Sequence, residues 1–174
     1  MSETAGSAAA LHRPIDAGVD VGHVHLKVAD LDRALGFYVG VLGFEVVARM
    51  GDQAAFVSAG GYHHHIGLNT WESRGGSPPP PGSTGLYHTA IRYPTRAALA
   101  DALRRVVQAS IALDGASDNG VSEALYLRDP DDNGVELYCD RPRDEWPRTP
   151  DGELTMFTAP LDVQGLLDEV DADR

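Results

Sequence analysis

An internal duplication is the feature of this sequence that most restricts how the chain can fold. A strand-like alternation of polar and apolar residues begins at His23 and is followed by a helical repeat of apolar residues. The same pair of patterns returns 65 residues later, beginning at His88. Three short strand-like segments follow each pair. The sequence therefore predicts two copies of one β-α-β-β-β unit.

The first unit is predicted from the spacing of its apolar residues. Residues 23–28 alternate polar and apolar side chains, as a strand does when one face is buried. Asp30 can cap the next helix, and Gly43 can end it. The apolar positions of this helix share one face: Leu31, Ala34, Leu35 and Tyr38. Three strands are predicted next, over residues 44–50, 53–59 and 63–69, with turn-forming glycines between them.

The second unit repeats this order. A strand over residues 86–93 leads into a helix. The apolar face of that helix carries Leu99, Ala102, Leu103 and Val106. Three further strands are predicted over residues 111–116, 121–128 and 134–139. Asn119-Gly120, which lies between the first two of these strands, is a favoured hairpin turn.

The remaining segments set the predicted domain layout. Residues 1–20 are predicted to be a flexible N-terminal arm, and residues 75–85 form a linker of glycines and prolines that excludes helix and inner strand. The first module spans residues 21–74 and the second residues 86–141, so that residues 21–146 form one functional domain. The tail, residues 142–174, is acidic and has one short helix predicted at 161–170. The fold class is α+β: two tandem βαβββ modules that form a cupped, barrel-like mixed sheet with helices outside.

Composition narrows the class of function. The 174 residues include 14 Lys and Arg against 26 Asp and Glu, which gives a formal charge of −12. Such a field repels phosphate backbones and anionic lipid, so neither nucleic acid nor a membrane is an expected partner. No apolar stretch reaches the roughly 20 residues of a membrane span. The N-terminus has no signal-peptide pattern and Cys139 is the single cysteine, so a cytoplasmic protein without internal disulfides is expected.

Strand parity predicts which polar side chains share a surface. Val24 and Leu26 form the apolar side of the first strand, so His23 and His25 project from the other side. By the same alternation, Glu136 lies opposite the apolar residues of the last strand. Since helices cover one face of each sheet, the uncovered faces can form a cup. Its predicted members are His23, His88, Tyr126 and Glu136.

Two imidazoles and one carboxylate suit a divalent metal ion and leave about half of an octahedron open for other ligands. The alternative is that these are ordinary exposed residues on a solvated sheet face, which is the common case for a single histidine. That alternative explains the two histidines and the carboxylate together less well than it explains any one of them. In an enclosed cup, an unpaired Glu136 beside neutral His23 and His88 is costly to desolvate, and a bound cation removes the cost.

A run of three histidines precedes Ile66. Strand parity puts His63 and His65 on one side with Gly67, and His64 on the other side with Ile66. A bulge or a short edge strand could change that order. The competing interpretation of the run is a surface histidine tract with weak, adventitious metal affinity.

Together these motifs resemble the vicinal oxygen chelate superfamily, which includes glyoxalase I, bleomycin-resistance proteins and type I extradiol dioxygenases. The resemblance covers about residues 20–146. The stretch from Leu125 to Glu136, with Leu-Tyr-x-x-Asp-Pro and then Gly-Val-Glu, is similar to the extradiol signature. The residues from His64 to Gly67, the Gly-Leu-Tyr-His start of the fifth strand and the segment 140–147 resemble short catechol 2,3-dioxygenases.

The resemblance implies a set of roles. Its metal ligands are His23, His88 and Glu136, which would hold Fe(II), with Mn(II) as the alternative ion. His64 is implied as the acid/base, and Tyr126 as a hydrogen-bond partner of the substrate oxygen. Asn119 departs from the signature, which has a histidine there; an amide can donate a hydrogen bond but cannot shuttle a proton. The implied substrates are a small aromatic diol and O2, and the implied assembly is a homodimer.

Two other functions stay open. A glyoxalase-like isomerase or lyase on Zn, Ni or Mn normally has a fourth protein ligand on the fourth strand, where this chain has Gly67. The remaining histidines are candidates for a fourth ligand or for residues that support the ligands without touching the metal. They are His25, His63 and His65. A drug-sequestering binding protein is the third alternative, although such binders often lack the metal set that this chain keeps.

Overall fold

The computed structural model describes residues 14–172, and residues 1–13 of the predicted N-terminal arm lie outside them. The elements follow the predicted order. They are β1 (Val24–Lys27), α1 (Leu31–Leu35), β2 (Glu45–Met50), β3 (Ala54–Ser58), β4 (Ile66–Asn69), β5 (Thr89–Arg92), α2 (Arg96–Gln108), β6 (Leu113–Asp118), β7 (Ser122–Arg128), β8 (Gly134–Asp140), β9 (Ala159–Pro160) and α3 (Val163–Ala172).

The strands form two sheets, one for each predicted module. The first has the order β1-β4-β3-β2 and the second the order β5-β8-β7-β6-β9. β1 is parallel to β4 and β5 is parallel to β8, whereas the other neighbours are antiparallel. The predicted α+β fold with two βαβββ modules is confirmed. Over residues 14–172 both sheets are open, so the predicted barrel-like sheet does not close into a barrel.

The alternation of side chains separates a buried face from an open face, as predicted. On β8, Val135, Leu137 and Cys139 are 1%, 0% and 5% exposed. The intervening Glu136 and Tyr138 are only partly buried. Because successive side chains on a strand point to opposite faces, the open face of the second sheet carries the polar residues.

The first helix begins as predicted and then changes its winding. The Asp30 side chain caps α1 by accepting a hydrogen bond from the Arg33 N–H at 2.8 Å. After Leu35 the chain continues as a π-helical segment, Gly36–Val41, whose wider turn includes a bond from the Leu42 N–H to the Phe37 carbonyl. The predicted core positions of this helix are all buried: Leu31, Ala34, Leu35 and Tyr38.

Several strands are shorter than the pattern predicts. β1 and β5 each begin one residue after a histidine, so His23 and His88 precede their strands rather than open them. β4 begins only at Ile66, where its parallel ladder with Val24 starts. The parity assigned to residues 63–65 is therefore wrong, because these histidines lie in the turn before the strand.

The tail contains more regular secondary structure than the single helix that was predicted. Its helix, α3, runs from Val163 to Ala172 instead of 161–170, and Leu166 is fully buried. The short strand β9 was not predicted; it pairs with Ser117 and Asp118 of β6. A two-residue strand gives too little alternation to be seen in a sequence. Among residues 14–172 no helix is long and apolar enough to cross a membrane.

A buried hydrogen bond joins the two modules. The Tyr38 hydroxyl donates to Asp129 Oδ2 at 2.9 Å, and Tyr38 is 0% exposed. Burial, followed by the neighbouring Asp129 carboxylate, raises the pKa of Tyr38. This bond links the first module's helical segment to the turn before β8 in the second module. The turn is thereby fixed against the first module.

Tyr38→Phe is expected to lower the free energy of unfolding by about 1–2 kcal/mol, because it removes a buried hydrogen bond while keeping the ring. Urea denaturation followed by circular dichroism measures this change. Tyr62→Phe, at a tyrosine that is 40% exposed, is the matched control and should change stability by less than about 0.5 kcal/mol. Equal effects of the two substitutions would contradict the assigned role of the Tyr38–Asp129 bond.

Candidate metal centre

Two of the three predicted ligands meet on the second sheet. His88 Nε2 lies 2.9 Å from Glu136 Oε2. The parallel register that pairs Ala90 with Glu136 brings the starts of β5 and β8 side by side. Gly134 permits this approach, because a Cβ at residue 134 would clash with the Tyr87 carbonyl oxygen and lie 3.1 Å from the Cα of His88. A bare backbone position on β8 therefore allows the two predicted ligands to lie this close together.

The His88–Glu136 pair fits a divalent metal ion. Two donors bound about 2.1 Å from one ion at a right angle lie about 3 Å apart, close to the 2.9 Å observed. The Glu136 side chain is only 13% exposed, and the described residues offer it one charged or hydrogen-bonding partner, His88. His88 Nδ1 is also buried without a partner in the described structure. A cation between the two side chains would compensate the burial of the carboxylate.

Tyr126 lies beside this pair and is held by polar neighbours. Its ring centroid is 6.0 Å from that of His88. The Asn119 side-chain amide donates to the Tyr126 hydroxyl at 3.2 Å, and the Ser117 hydroxyl donates to Asn119 Oδ1 at 3.0 Å. Asn119 therefore orients the phenol from the turn between β6 and β7. An amide performs this positioning even though it cannot transfer a proton.

The first module carries a separate histidine cluster. The His23 and His64 ring centroids are 4.4 Å apart, and His63 Nδ1 lies 2.8 Å from His64 Nδ1. Desolvation, followed by the neighbouring imidazoles of His23 and His63, lowers the pKa of His64. A lowered pKa keeps this imidazole neutral near pH 7 and able to accept a proton. His65 is held differently, since its Nδ1 accepts from the Ala59 N–H at 3.3 Å.

Strand register shows which position of the first module corresponds to Glu136. Ala90, two residues after His88, pairs with Glu136; His25, two residues after His23, pairs with Gly67. Gly67 thus occupies the equivalent position and has no side chain to offer a metal. The His25 ring fills that space, since a Cβ at residue 67 would lie 2.9 Å from it.

The predicted ligands form two groups. His23 and His88 line one cleft of about 800 Å³ between β1 and β5. Over residues 14–172, however, no group of three His, Cys, Asp or Glu side chains is close enough to hold one ion. His88 and Glu136 are brought together, while His23 lies with His64 on the other side of the cleft.

The tail contributes to the site in a way that the sequence pattern did not predict. A cavity of about 460 Å³ contains His88, Tyr126 and Glu136, and its wall includes Met156 and Phe157. The signal in the sequence was a pair of large apolar residues flanked by Thr155 and Thr158. Nothing in their spacing indicated that the tail returns to the open face of the second sheet.

The duplicated βαβββ architecture, with imidazoles and a carboxylate on its open faces, defines a fold of two tandem modules. Residues 20–137 match the model of the Glyoxalase/Bleomycin resistance protein/Dioxygenase superfamily. The chain belongs to this superfamily, as the sequence motifs predicted.

Two curated relatives are dioxygenases by name. The chain is 41% identical to a catechol-2,3-dioxygenase of Bacillus subtilis (strain 168) over 155 residues, which are 88% of this chain and 53% of the relative. It is 33% identical to biphenyl-2,3-diol 1,2-dioxygenase 3 of Rhodococcus globerulus over 122 residues, 69% of this chain and 63% of the relative. The chain thus spans between half and two thirds of these relatives' lengths.

A solved structure shares the fold. Lactoylglutathione lyase from Agrobacterium tumefaciens superposes with a TM-score of 0.56 at 25% identity. The superposition covers 71% of this chain and 96% of that one. The same arrangement of modules therefore occurs in proteins named for different reactions, and the reaction has to be argued from the site.

Proposed function

We propose that this protein is an extradiol ring-cleavage dioxygenase that acts on a catechol-type aromatic diol with O2. The observation that carries the proposal is the His88–Glu136 pair, 2.9 Å apart, beside the oriented hydroxyl of Tyr126. The naming of two curated relatives as diol dioxygenases supports the same chemistry. In the proposed reaction a carbon–carbon bond next to the hydroxyl-bearing carbons breaks, and both atoms of O2 enter the product.

Fe(II) is the proposed ion, with Mn(II) as the alternative, and His23, His88 and Glu136 are its proposed ligands. When bound, the ion supplies a common centre for diol and O2 and a path for electrons between them. His88 and Glu136 already have the separation of neighbouring ligands. His23 is the proposed third ligand and lines the cleft that it shares with His88.

The proton chemistry is assigned to residues on both sides of the cleft. His64, with its lowered pKa, accepts a proton from the diol and returns one later in the reaction. The Tyr126 hydroxyl donates a hydrogen bond to a substrate oxygen as negative charge develops there. The Asn119 amide keeps that hydroxyl in place.

Gly67 favours this reaction over a glyoxalase-like isomerisation. A fourth protein ligand on β4 would stand at the position equivalent to Glu136, where Gly67 has no side chain and His25 fills the space. The other candidates for a fourth ligand are engaged elsewhere. His63 contacts His64, and His65 accepts a hydrogen bond from the Ala59 N–H. Three protein ligands leave positions for two reactants.

The assembly and the compartment belong to the same proposal, which is a homodimer in the cytoplasm. The proposed contact between copies is the edge strand β2, all of whose residues are exposed, with Val46, Val47 and Met50 at 41–57%. Light scattering of the purified chain should give twice the 18.6 kDa monomer mass. A monomer mass at micromolar concentration would remove the homodimer from the proposal and leave the chemistry intact.

Reconstitution tests the proposed reaction. The protein is loaded with Fe(II) under anaerobic conditions, and O2 and a panel of catechols are then added. We expect one O2 consumed per diol and a coloured ring-fission product that absorbs visible light. If no member of the panel causes O2 uptake by protein that demonstrably holds iron, the proposed reaction is wrong and the isomerase and binding-protein alternatives take its place.

His64→Phe is expected to retain bound iron and to lower kcat by about 10²–10⁴-fold, the usual contribution of a general acid/base. Iron content is measured by a colorimetric assay, and turnover by the rate of O2 uptake. The control is Gln108→Phe, which places the same ring at the exposed end of α2 and should stay within a fewfold of the unmodified enzyme. Full activity of His64→Phe would show that another group moves the proton.

A further inference from the structure

The tail segment that lines the cavity at His88 and Glu136 is held by backbone hydrogen bonds. The Thr155 N–H donates to the Pro147 carbonyl at 3.0 Å, and the Phe157 N–H donates to the Asn119 carbonyl at 3.4 Å. Immediately afterwards, Ala159 pairs with Asp118 of β6. The backbone of this segment is therefore bonded to another part of the tail at Thr155 and to the second sheet's β6 and its turn at Ala159 and Phe157.

The Phe157 ring is positioned by a glycine. A Cβ at Gly120 would lie 2.6 Å from Phe157 Cε1 and 2.9 Å from Pro147 Cγ, so the ring packs against a bare backbone. Gly120 has a φ of +76°, a conformation that the turn requires and that glycine adopts readily. The same turn carries Asn119, which orients Tyr126. The turn thus contacts the apolar wall through Gly120 and orients the substrate's hydrogen-bond donor, Tyr126, through Asn119.

Met156 and Phe157 line the cavity, and they are 61% and 50% exposed, respectively. The residues directly before and after the pair, Thr155 and Thr158, are polar. Covering such surface with an apolar ligand group is favourable at about 25 cal/mol per Å². The described residues that line the cavity include no Lys or Arg, while Glu136 adds a negative charge. A carboxylate on the ligand would have no cationic partner there.

We infer that Met156 and Phe157 form the wall that receives the ring substituent of the diol. They give the enzyme a preference for neutral catechols with apolar substituents over carboxylated ones. The inference rests on the proposed dioxygenase function and adds the substrate class. Both residues act as specificity determinants, since they face the substrate ring rather than the reacting oxygens.

Steady-state kinetics with 4-methylcatechol and 3,4-dihydroxybenzoate test this inference. The unmodified enzyme should prefer 4-methylcatechol by at least about tenfold in kcat/KM. Phe157→Ala should raise KM for 4-methylcatechol about tenfold with kcat nearly unchanged, because the ring contributes equally to binding of the substrate and of the transition state. Met156→Lys should raise kcat/KM for 3,4-dihydroxybenzoate about tenfold by supplying a cation. Leu154→Ala is the control, because Leu154 is a 48% exposed tail residue outside this cavity.

Anaerobic calorimetry separates this inference from the proposed reaction. If the iron-loaded enzyme cleaves no diol but Phe157→Ala weakens 4-methylcatechol binding about tenfold, the wall is supported and the dioxygenase proposal fails. If turnover is normal but KM, Kd and the preference between the two diols are unchanged in both variants, the wall is wrong. Phe157→Leu, which keeps most of the apolar volume, should bind 4-methylcatechol within threefold of the unmodified enzyme if the wall acts by packing.

Discussion

Glu136→Gln is expected to weaken Fe(II) binding by at least about 100-fold and to abolish ring cleavage. The substitution keeps the shape of the side chain and removes the anionic charge that lies 2.9 Å from His88 Nε2. Losing a residue that only supports a metal ligand already costs 10–100-fold in affinity, so losing a ligand itself should cost more. Anaerobic titration with Fe(II), followed by iron analysis after desalting, measures the affinity and the retained metal.

The control for this prediction is Glu45→Gln, the same chemical change on the exposed strand β2. It should bind one iron per chain with unchanged affinity. Thermal unfolding of both variants separates loss of the ion from loss of the fold, because the apo form of Glu136→Gln should unfold within a few degrees of the unmodified apo protein. Unimpaired iron binding by Glu136→Gln would contradict the assignment of Glu136 as a ligand.

Gly134→Ala is expected to disrupt the site without touching either ligand. The new Cβ would clash with the Tyr87 carbonyl oxygen, which is backbone and cannot move aside as a flexible side chain would. β5 must then shift at its start, where Thr89 pairs with Val135, and His88 moves away from Glu136. We expect a loss of about 3 kcal/mol in stability, at the upper end for overpacking, and a loss of iron affinity of at least about tenfold.

Gly115→Ala is the matched control, because a Cβ at this β6 position meets no atom within 4 Å. It should leave stability and iron affinity unchanged. Urea denaturation gives the free energy of unfolding for both variants, and Fe(II) titration gives the affinity. If Gly134→Ala binds iron as tightly as Gly115→Ala, then the distance between β5 and β8 does not control the metal site.

Much of the fold could be predicted from this sequence because its two halves repeat one pattern. Apolar spacing located both helices of the modules and all eight of their strands, and side-chain alternation assigned Leu137 to the core and Glu136 to the open face. These signals are local: they depend on the period of three to four residues in a helix and of two in a strand. The Asn119-Gly120 turn was equally clear, since few residue pairs favour that conformation.

Strand ends and the tail were predicted less well, for a physical reason. A strand ends where its partner ends, and the partner of β1 is β4, about 40 residues away in the sequence. The pattern around residues 63–65 looks strand-like, yet the ladder begins only at Ile66. Likewise, the return of Met156 and Phe157 to the second sheet depends on the pairing of β9 with β6. Non-local pairings of this kind leave little trace in residue spacing.

The candidate site was likewise predictable in its residues but not in the distance between its two modules. Sequence motifs identified His88, Glu136 and Tyr126, and the structure brings these three into one cavity. The motifs gave no measure of the distance between modules, which is set by packing between distant parts of the chain. His23 therefore lies in the shared cleft but not in a group of three ligands among residues 14–172.

The most direct test of the account is a crystal structure of the Fe(II)-loaded protein with anomalous diffraction recorded at the iron edge. We expect one strong anomalous peak per chain, about 2.1 Å from an imidazole nitrogen of His23, an imidazole nitrogen of His88 and a carboxylate oxygen of Glu136. A peak held instead by His63 and His64, or the absence of any peak near Glu136 in protein that contains iron, would contradict the account.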